Sequence, residues 1–147
     1  MEKSSEIKVF LDTNILISGI FFKGNEAKLI SLSKIKQVTC DICIEELYDV
    51  VKRKLNYLDI ESLRVALLEI SRALKDFEIV RKESAIKYLP TASKLLVHKK
   101  DQWILACVMK TKTDYFVTGD SYFHKKDIQS VVRVYHTREL LTEIGAI

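Results

Sequence analysis

Short apolar runs of strand character alternate with amphipathic helical stretches along the whole chain, and no other feature restricts its fold as much. Lys8-Val9-Phe10-Leu11 is a β-type run that stops at Asp12, as a strand buried on both faces does. Residues 14–20 read as a short helix or turn, and residues 25–35 as a helix with Asn25 as its cap. Residues 37–40 form a second strand. In residues 41–55, Ile44, Leu47, Val50, Val51 and Leu55 recur every three or four positions, which predicts an amphipathic helix. Asp59 opens another helix, and residues 77–80 form a third strand. Residues 83–96 read as partly helical with an interruption at Pro90, and a strong helix begins at Asp101. Residues 115–118 and 131–135 are the fourth and fifth strands, and residues 137–144 a closing helix. This alternation predicts an α/β fold with a mainly parallel sheet of four to five strands, covered on both faces.

With 147 residues, one proline, four glycines and no repeat or flexible linker, the chain reads as a single domain over residues 1–147. An apolar share of 48% is globular, and no run of about 18 apolar residues is free of charge, so no membrane span is expected. The stretch Met1-Glu2-Lys3-Ser4-Ser5-Glu6 lacks the apolar centre of a secretory leader, which points to the cytoplasm. Three cysteines, an odd number, argue against a disulfide framework. Cys40 and Cys43 have the spacing of a zinc half-site, but no second pair completes it, and they read as small residues packed at a helix start.

Functional groups of parallel sheets gather beyond the carboxyl ends of the strands. Asp12 directly follows the first strand, and Asp120 follows the fourth across Gly119. Glu46 and Asp101 lie near the starts of helices. Taken singly, each has a structural explanation: helix caps for acids at N-termini, turn residues after strands. Together, four acids at one sheet edge repel one another and raise each other's proton affinity unless a cation compensates. A hard Mg2+ or Mn2+ suits such oxygen ligands and supports phosphodiester hydrolysis.

The same residues resemble a family. Val9-Phe10-Leu11-Asp12-Thr13-Asn14-Ile15-Leu16 is similar to the opening motif of PIN domains. Cys43-Ile44-Glu45-Glu46-Leu47 resembles the second motif, Asp101-Gln102-Trp103-Ile104-Leu105-Ala106 the third, and Asp114-Tyr115-Phe116-Val117-Thr118-Gly119-Asp120 the fourth. Glu46 is preferred to Glu45 as the second acid because it directly precedes Leu47. The resemblance implies a three-layer α/β/α sandwich and a metal-dependent endoribonuclease. It implies Asp12, Glu46, Asp101 and Asp120 as catalytic metal ligands, with Thr13, Asn14 and Thr118 orienting them. It also implies a toxin–antitoxin role, a small antitoxin partner and a homodimer. One position departs: relatives with Thr-Gly-Asp often carry an acid three residues before the third aspartate, where this chain has His98.

The tripeptide His-Lys-Lys occurs twice, at His98-Lys99-Lys100 before Asp101 and at His124-Lys125-Lys126 after Asp120. Either these are solvated charge runs, or Lys99, Lys100, Lys125 and Lys126 face an RNA backbone. His98 and His124 are candidates for proton transfer, and Trp103 and Tyr122 for base stacking. The Phe21-Phe22 pair reads as core or as part of a dimer interface. Two other functions compete with the nuclease. One is a catalytically silent PIN-like module that binds RNA or protein. The other is a phosphotransfer domain using Asp12 as nucleophile, although the second aspartate two residues on is missing.

Overall fold

Val9, Phe10 and Leu11 are fully buried because β1 (Ile7–Leu11) is the middle strand of the sheet, screened on both faces. The computed structural model describes residues 6–55 and 59–147, so most of the N-terminal stretch read above for a leader lies outside the described residues. Five strands, β1, β2 (Ile35–Cys40), β3 (Glu78–Val80), β4 (Tyr115–Val117) and β5 (Val134–Tyr135), run parallel in the order β3-β2-β1-β4-β5.

The connections explain the layers. From β1 to β2 to β3 the chain moves one way through α1 (Thr13–Phe21), α2 (Asn25–Ile30), α3 (Asp41–Leu55) and α4 (Ile60–Leu74). It then crosses back over the sheet to β4 through a 3-10 segment (Lys82–Tyr88), α5 (Leu89–Leu95) and α6 (Lys99–Thr111). Right-handed crossovers in opposite directions place their helices on opposite faces. Accordingly α1 packs on α2 and α3, while α6 packs on α5 and the 3-10 segment. The reversal falls between β1 and β4, and sheets of this kind bind ligands beyond the carboxyl ends of the strands at such a point. A second 3-10 turn (Ser121–His124), α7 (Lys126–Gln129) and α8 (Thr137–Glu143) complete the fold.

Three boundaries differ from the sequence expectation, each for a non-local reason. The helix expected over residues 25–35 stops at Ile30. The Gln37 amide, reaching back from β2, donates to the carbonyls of Leu29, Ile30 and Leu32 at 2.9–3.1 Å and so closes the helix end. The break expected at Pro90 falls just before it, between the 3-10 segment ending at Tyr88 and α5 starting at Leu89, so Pro90 stands in the first turn of α5, where its missing N–H costs nothing. The fifth strand is two residues long. The amides of Val131 and Val132 bond back to Ile128, and the Gln129 side chain pairs with both the N–H and the C=O of Val134.

Gly19 sits where α1 and α2 touch. An added Cβ would overlap Ile30 Cδ1 and lie 2.8 Å from the Glu26 carbonyl oxygen. Alanine gains about 1 kcal/mol in helix propensity over glycine, but overpacking costs typically about 1–3 kcal/mol. Because a backbone oxygen cannot swing aside as a side chain can, the clash decides the sign. Gly19→Ala is expected to destabilise the protein in urea unfolding; a stabilised variant refutes this packing.

Candidate metal centre at the carboxyl ends of β1 and β4

Register builds the site. Leu11 pairs with Val117, and the Asp12 amide donates to the Val117 carbonyl at 3.1 Å, so Asp12 and Thr118 emerge side by side from the sheet. Asp12 caps α1 and is only 6% exposed. Its Oδ1 accepts the Thr13 N–H at 2.8 Å, and its Oδ2 accepts the Thr118 hydroxyl at 2.6 Å. Thr118 Oγ in turn accepts the Asp120 N–H at 3.0 Å, which leaves its own proton for Asp12. Thr118 thus links the acid at the end of β1 to the backbone of the acid beyond β4.

Asp120 caps the 3-10 turn, its Oδ1 accepting the Tyr122 N–H at 2.9 Å. Asp101 is the third residue of α6, half-buried in its first turn. Glu46, in the second turn of α3, is half-buried and takes Lys100 Nζ at 3.3 Å, while Glu45 points to solvent. The four acids feel one another. Burial pushes the Asp12 carboxyl from 3.8 up to about 6, the Thr118 and Thr13 hydrogen bonds oppose the rise, and the charges of Glu46 and Asp120 add to it. Asp101 is raised as well, by burial first, then by Asp120 and Glu46, with His98 and Lys100 pulling the other way.

Thr13 contributes its backbone N–H; its hydroxyl is buried toward Cys43 without a bond of good geometry. Asn14 is exposed, with its amide against Gly119 in the loop that carries Asp120. Lys99 and Lys126 are exposed at the first positions of α6 and α7. Lys125 extends over the Tyr122 ring, Nζ 5.5 Å from its centroid. Of the stacking candidates, Trp103 is half-buried against the core beside Lys82, while Tyr122 is exposed. Phe21 packs on the core and Phe22 faces solvent.

Two groupings were not legible in the sequence. Cys107, far from Cys40 in the chain, lies beside it. Cys40 and Cys43 have sulfurs 3.5 Å apart, and Cys43 Sγ is 3.8 Å from Asp12 Oδ1. The Cys107 contact and then burial push the Cys40 thiol up against the opposing pull of Cys43, and the Cys40 contact and burial push Cys43 up, so both are protonated, unreactive packing around Asp12. His136, at the end of β5, stacks on His124 with ring centroids 3.9 Å apart. His124 Nε2 lies 2.7 Å from the Thr118 carbonyl, a contact that requires the proton on that nitrogen. His136 follows a strand end, and that position was the available signal.

All four acids offer hard carboxylate oxygens, and their mutual repulsion is what a divalent cation relieves, so the residues fit Mg2+ or Mn2+. Among the described residues no three acidic, imidazole or thiol side chains converge closely enough to form a ready-made cage.

Asp12 links this charge to stability. Between pH 4 and 6 the folded state binds more protons than the unfolded state, so this group stabilises the protein as pH falls through that window. Above it, the ionised, buried carboxylate costs about 3 kcal/mol. In chelator at pH 7.5, Asp12→Asn is expected to be more stable than the parent by about 1–3 kcal/mol, with the gain shrinking towards pH 5. Denaturant unfolding at the two pH values measures this; a less stable variant at pH 7.5 contradicts it.

A family model described as PIN domain matches residues 8–122. No curated protein matches the chain at a significant level. Solved structures share the fold. VapBC2 from Rickettsia felis, bound to a DNA fragment from their promoter, is similar with a TM-score of 0.68 and 17% identity, covering 88% of this chain and 98% of that one. DNA-bound VapBC from Salmonella typhimurium is similar with a TM-score of 0.68 and 15% identity over 89% and 98%. PAE2754 from Pyrobaculum aerophilum is similar with a TM-score of 0.67 and 12% identity over 96% and 91%. With the family model spanning β1 to the turn that holds Asp120, the chain belongs to the PIN-domain family.

Proposed function

We propose that the chain is a metal-dependent endoribonuclease whose catalytic acids are Asp12, Glu46, Asp101 and Asp120. The observation that carries this reading is Asp12, buried at the carboxyl end of β1 on the Thr118 hydroxyl and pushed up to about 6 by burial, with the charges of Glu46 and Asp120 adding to the rise. A bound Mg2+ or Mn2+ supplies a Lewis acid and an activated water for attack on a phosphodiester. The chain's own residues do the rest. Thr118 and the Thr13 N–H fix the plane of the Asp12 carboxylate. Asp120 is pinned by the Tyr122 amide, and Asp101 is carried on the first turn of α6. Glu46 is held by Lys100, an exposed pair worth less than about 1 kcal/mol and so easily exchanged for another cation.

RNA as the substrate is supported by the family and by the lysines beside the acids, Lys99, Lys100, Lys125 and Lys126. A role as the toxin of a toxin–antitoxin pair, with a small protein antitoxin, is supported by the family resemblance and by the VapBC assemblies among the similar structures. Among the described residues no helix is long and apolar enough to cross a membrane.

The test is cleavage of a mixed RNA pool with Mn2+, with Mg2+ and with chelator, beside an Asp12→Asn/Asp101→Asn variant. Cleavage that requires metal and falls by about 100-fold or more in the variant is expected. A variant that cuts at the parental rate refutes the site. Parental protein that binds RNA but never cuts it supports a silent binding module instead. The lysines are tested separately by salt titration of RNA binding in chelator. Each Lys→Gln change at positions 99, 100, 125 or 126 should lower the log–log salt slope by about 0.7 for a single strand. An unchanged slope removes that lysine from the interface.

A further inference from the structure

Beside Asp101 the surface opens into a small cleft that the proposed acids do not use. Its volume is about 150 Å3. That is space for about five waters, enough for one base ring system and too little for a helix or strand of a partner. Leu95, Leu96 and Val97 supply its apolar lining, and Val97 is 89% exposed. Tyr122, 47% exposed, also lines it. The His98 ring meets Tyr122 edge-on, with centroids 5.5 Å apart, and Lys125 Nζ lies 5.5 Å from the Tyr122 ring centroid. Asp101 is the one proposed acid that lines it.

We propose that this cleft is a subsite for one unpaired nucleobase of the RNA strand, with Tyr122 as its stacking surface. The proposal rests on the ribonuclease reading and names the residue on which a base would stack. Three features favour a base over other occupants. An exposed aromatic ring in a cleft that also has apolar lining suits a flat heterocycle. A lysine over the ring can turn outward to the phosphate of the same nucleotide while the base takes its place. The backbone of Tyr122 is tied to one of the proposed acids, because its amide donates to Asp120 Oδ1 at 2.9 Å. A base seated on Tyr122 therefore holds its strand across Asp101 and Asp120. In duplex RNA the bases are stacked inside the helix and do not reach such a cleft.

The experiment measures binding of a labelled single-stranded RNA, the same strand with abasic positions, and its duplex by fluorescence anisotropy in chelator. The proteins are the parent, Tyr122→Phe, Tyr122→Ala and Val97→Arg, the last to crowd the apolar lining. Expected results are about tenfold weaker single-strand binding for Tyr122→Ala and Val97→Arg, and binding within about twofold of the parent for Tyr122→Phe. The abasic strand should bind the parent about as weakly as the intact strand binds Tyr122→Ala. With Mn2+ present, Tyr122→Ala should raise KM and leave kcat nearly unchanged. Single-strand affinity that does not respond to Tyr122→Ala, equal parental affinity for strand and duplex, or no parental RNA binding overturns the subsite. Loss of a protein partner's binding with RNA binding intact also overturns it. A parent that cleaves RNA while Tyr122 is indifferent sinks the subsite alone. A parent that binds RNA through Tyr122 but never cleaves sinks the nuclease reading alone.

Discussion

The 2.6 Å hydrogen bond from Thr118 to Asp12 joins the two halves of this molecule. Asp12 ends the strand from which the chain runs toward one sheet edge, and Thr118 ends the first strand on the other side. Parallel pairing of Leu11 with Val117 puts the two residues level, and the Asp120 amide orients the hydroxyl so that its proton faces the carboxylate. Thr39, from β2, adds a bond to the Leu11 carbonyl at 2.9 Å, fixing the last residue of β1 from the other side. The position of one carboxylate is therefore set by three strands and not by a loop. Rigid support of this kind holds a reactive group to a tolerance that a surface turn does not provide.

The same packing that fixes Asp12 also makes its charge costly. Fully buried Leu11 and Cys43 lie around it, and the neighbouring acids share its sign. Two hydrogen bonds offset part of the desolvation but leave the carboxyl at about 6. Protonated thiols suit this surrounding: they fill space, add no charge and stay unreactive. The lysines sit further out, on the turns that follow His98 and His124, where water solvates them and leaves them available to a polyanion.

Much of this arrangement was legible from local signals. Val9-Phe10-Leu11 announced a central strand because its three residues are apolar on both faces, and α3 matched the expected residues 41–55 because one apolar stripe runs its whole length. Asp59 capped α4 as its position before the periodic stretch implied, accepting the Ser62 N–H at 2.7 Å. The misread boundaries depend on partners that no window of sequence contains. Gln37 closes a helix from a neighbouring strand, and Gln129 takes the place of a strand partner for Val134, so an amide side chain performs what the pattern assigned to backbone. At the site, the order of the acids was readable, but the Thr118 relay, the Cys107 contact and the His124–His136 stack arise only when distant segments meet.

If Asp12 is a metal ligand, as proposed, stability and function make opposite demands on it. At neutral pH the fold loses stability by keeping this buried group ionised, yet only the ionised form is a good ligand for a hard cation. Whatever binds the folded carboxylates and not the unfolded chain returns that stability in proportion to the logarithm of its concentration over its Kd. The conflict is local, because the rest of the core from Phe10 to Leu141 is apolar and well packed. A sheet with fully buried central strands can carry one strained acid at its edge, and the switch between β1 and β4 is where the topology supplies such an edge. The cost of the charge and its usefulness to a cation thus share one physical origin, the exclusion of water from the end of β1.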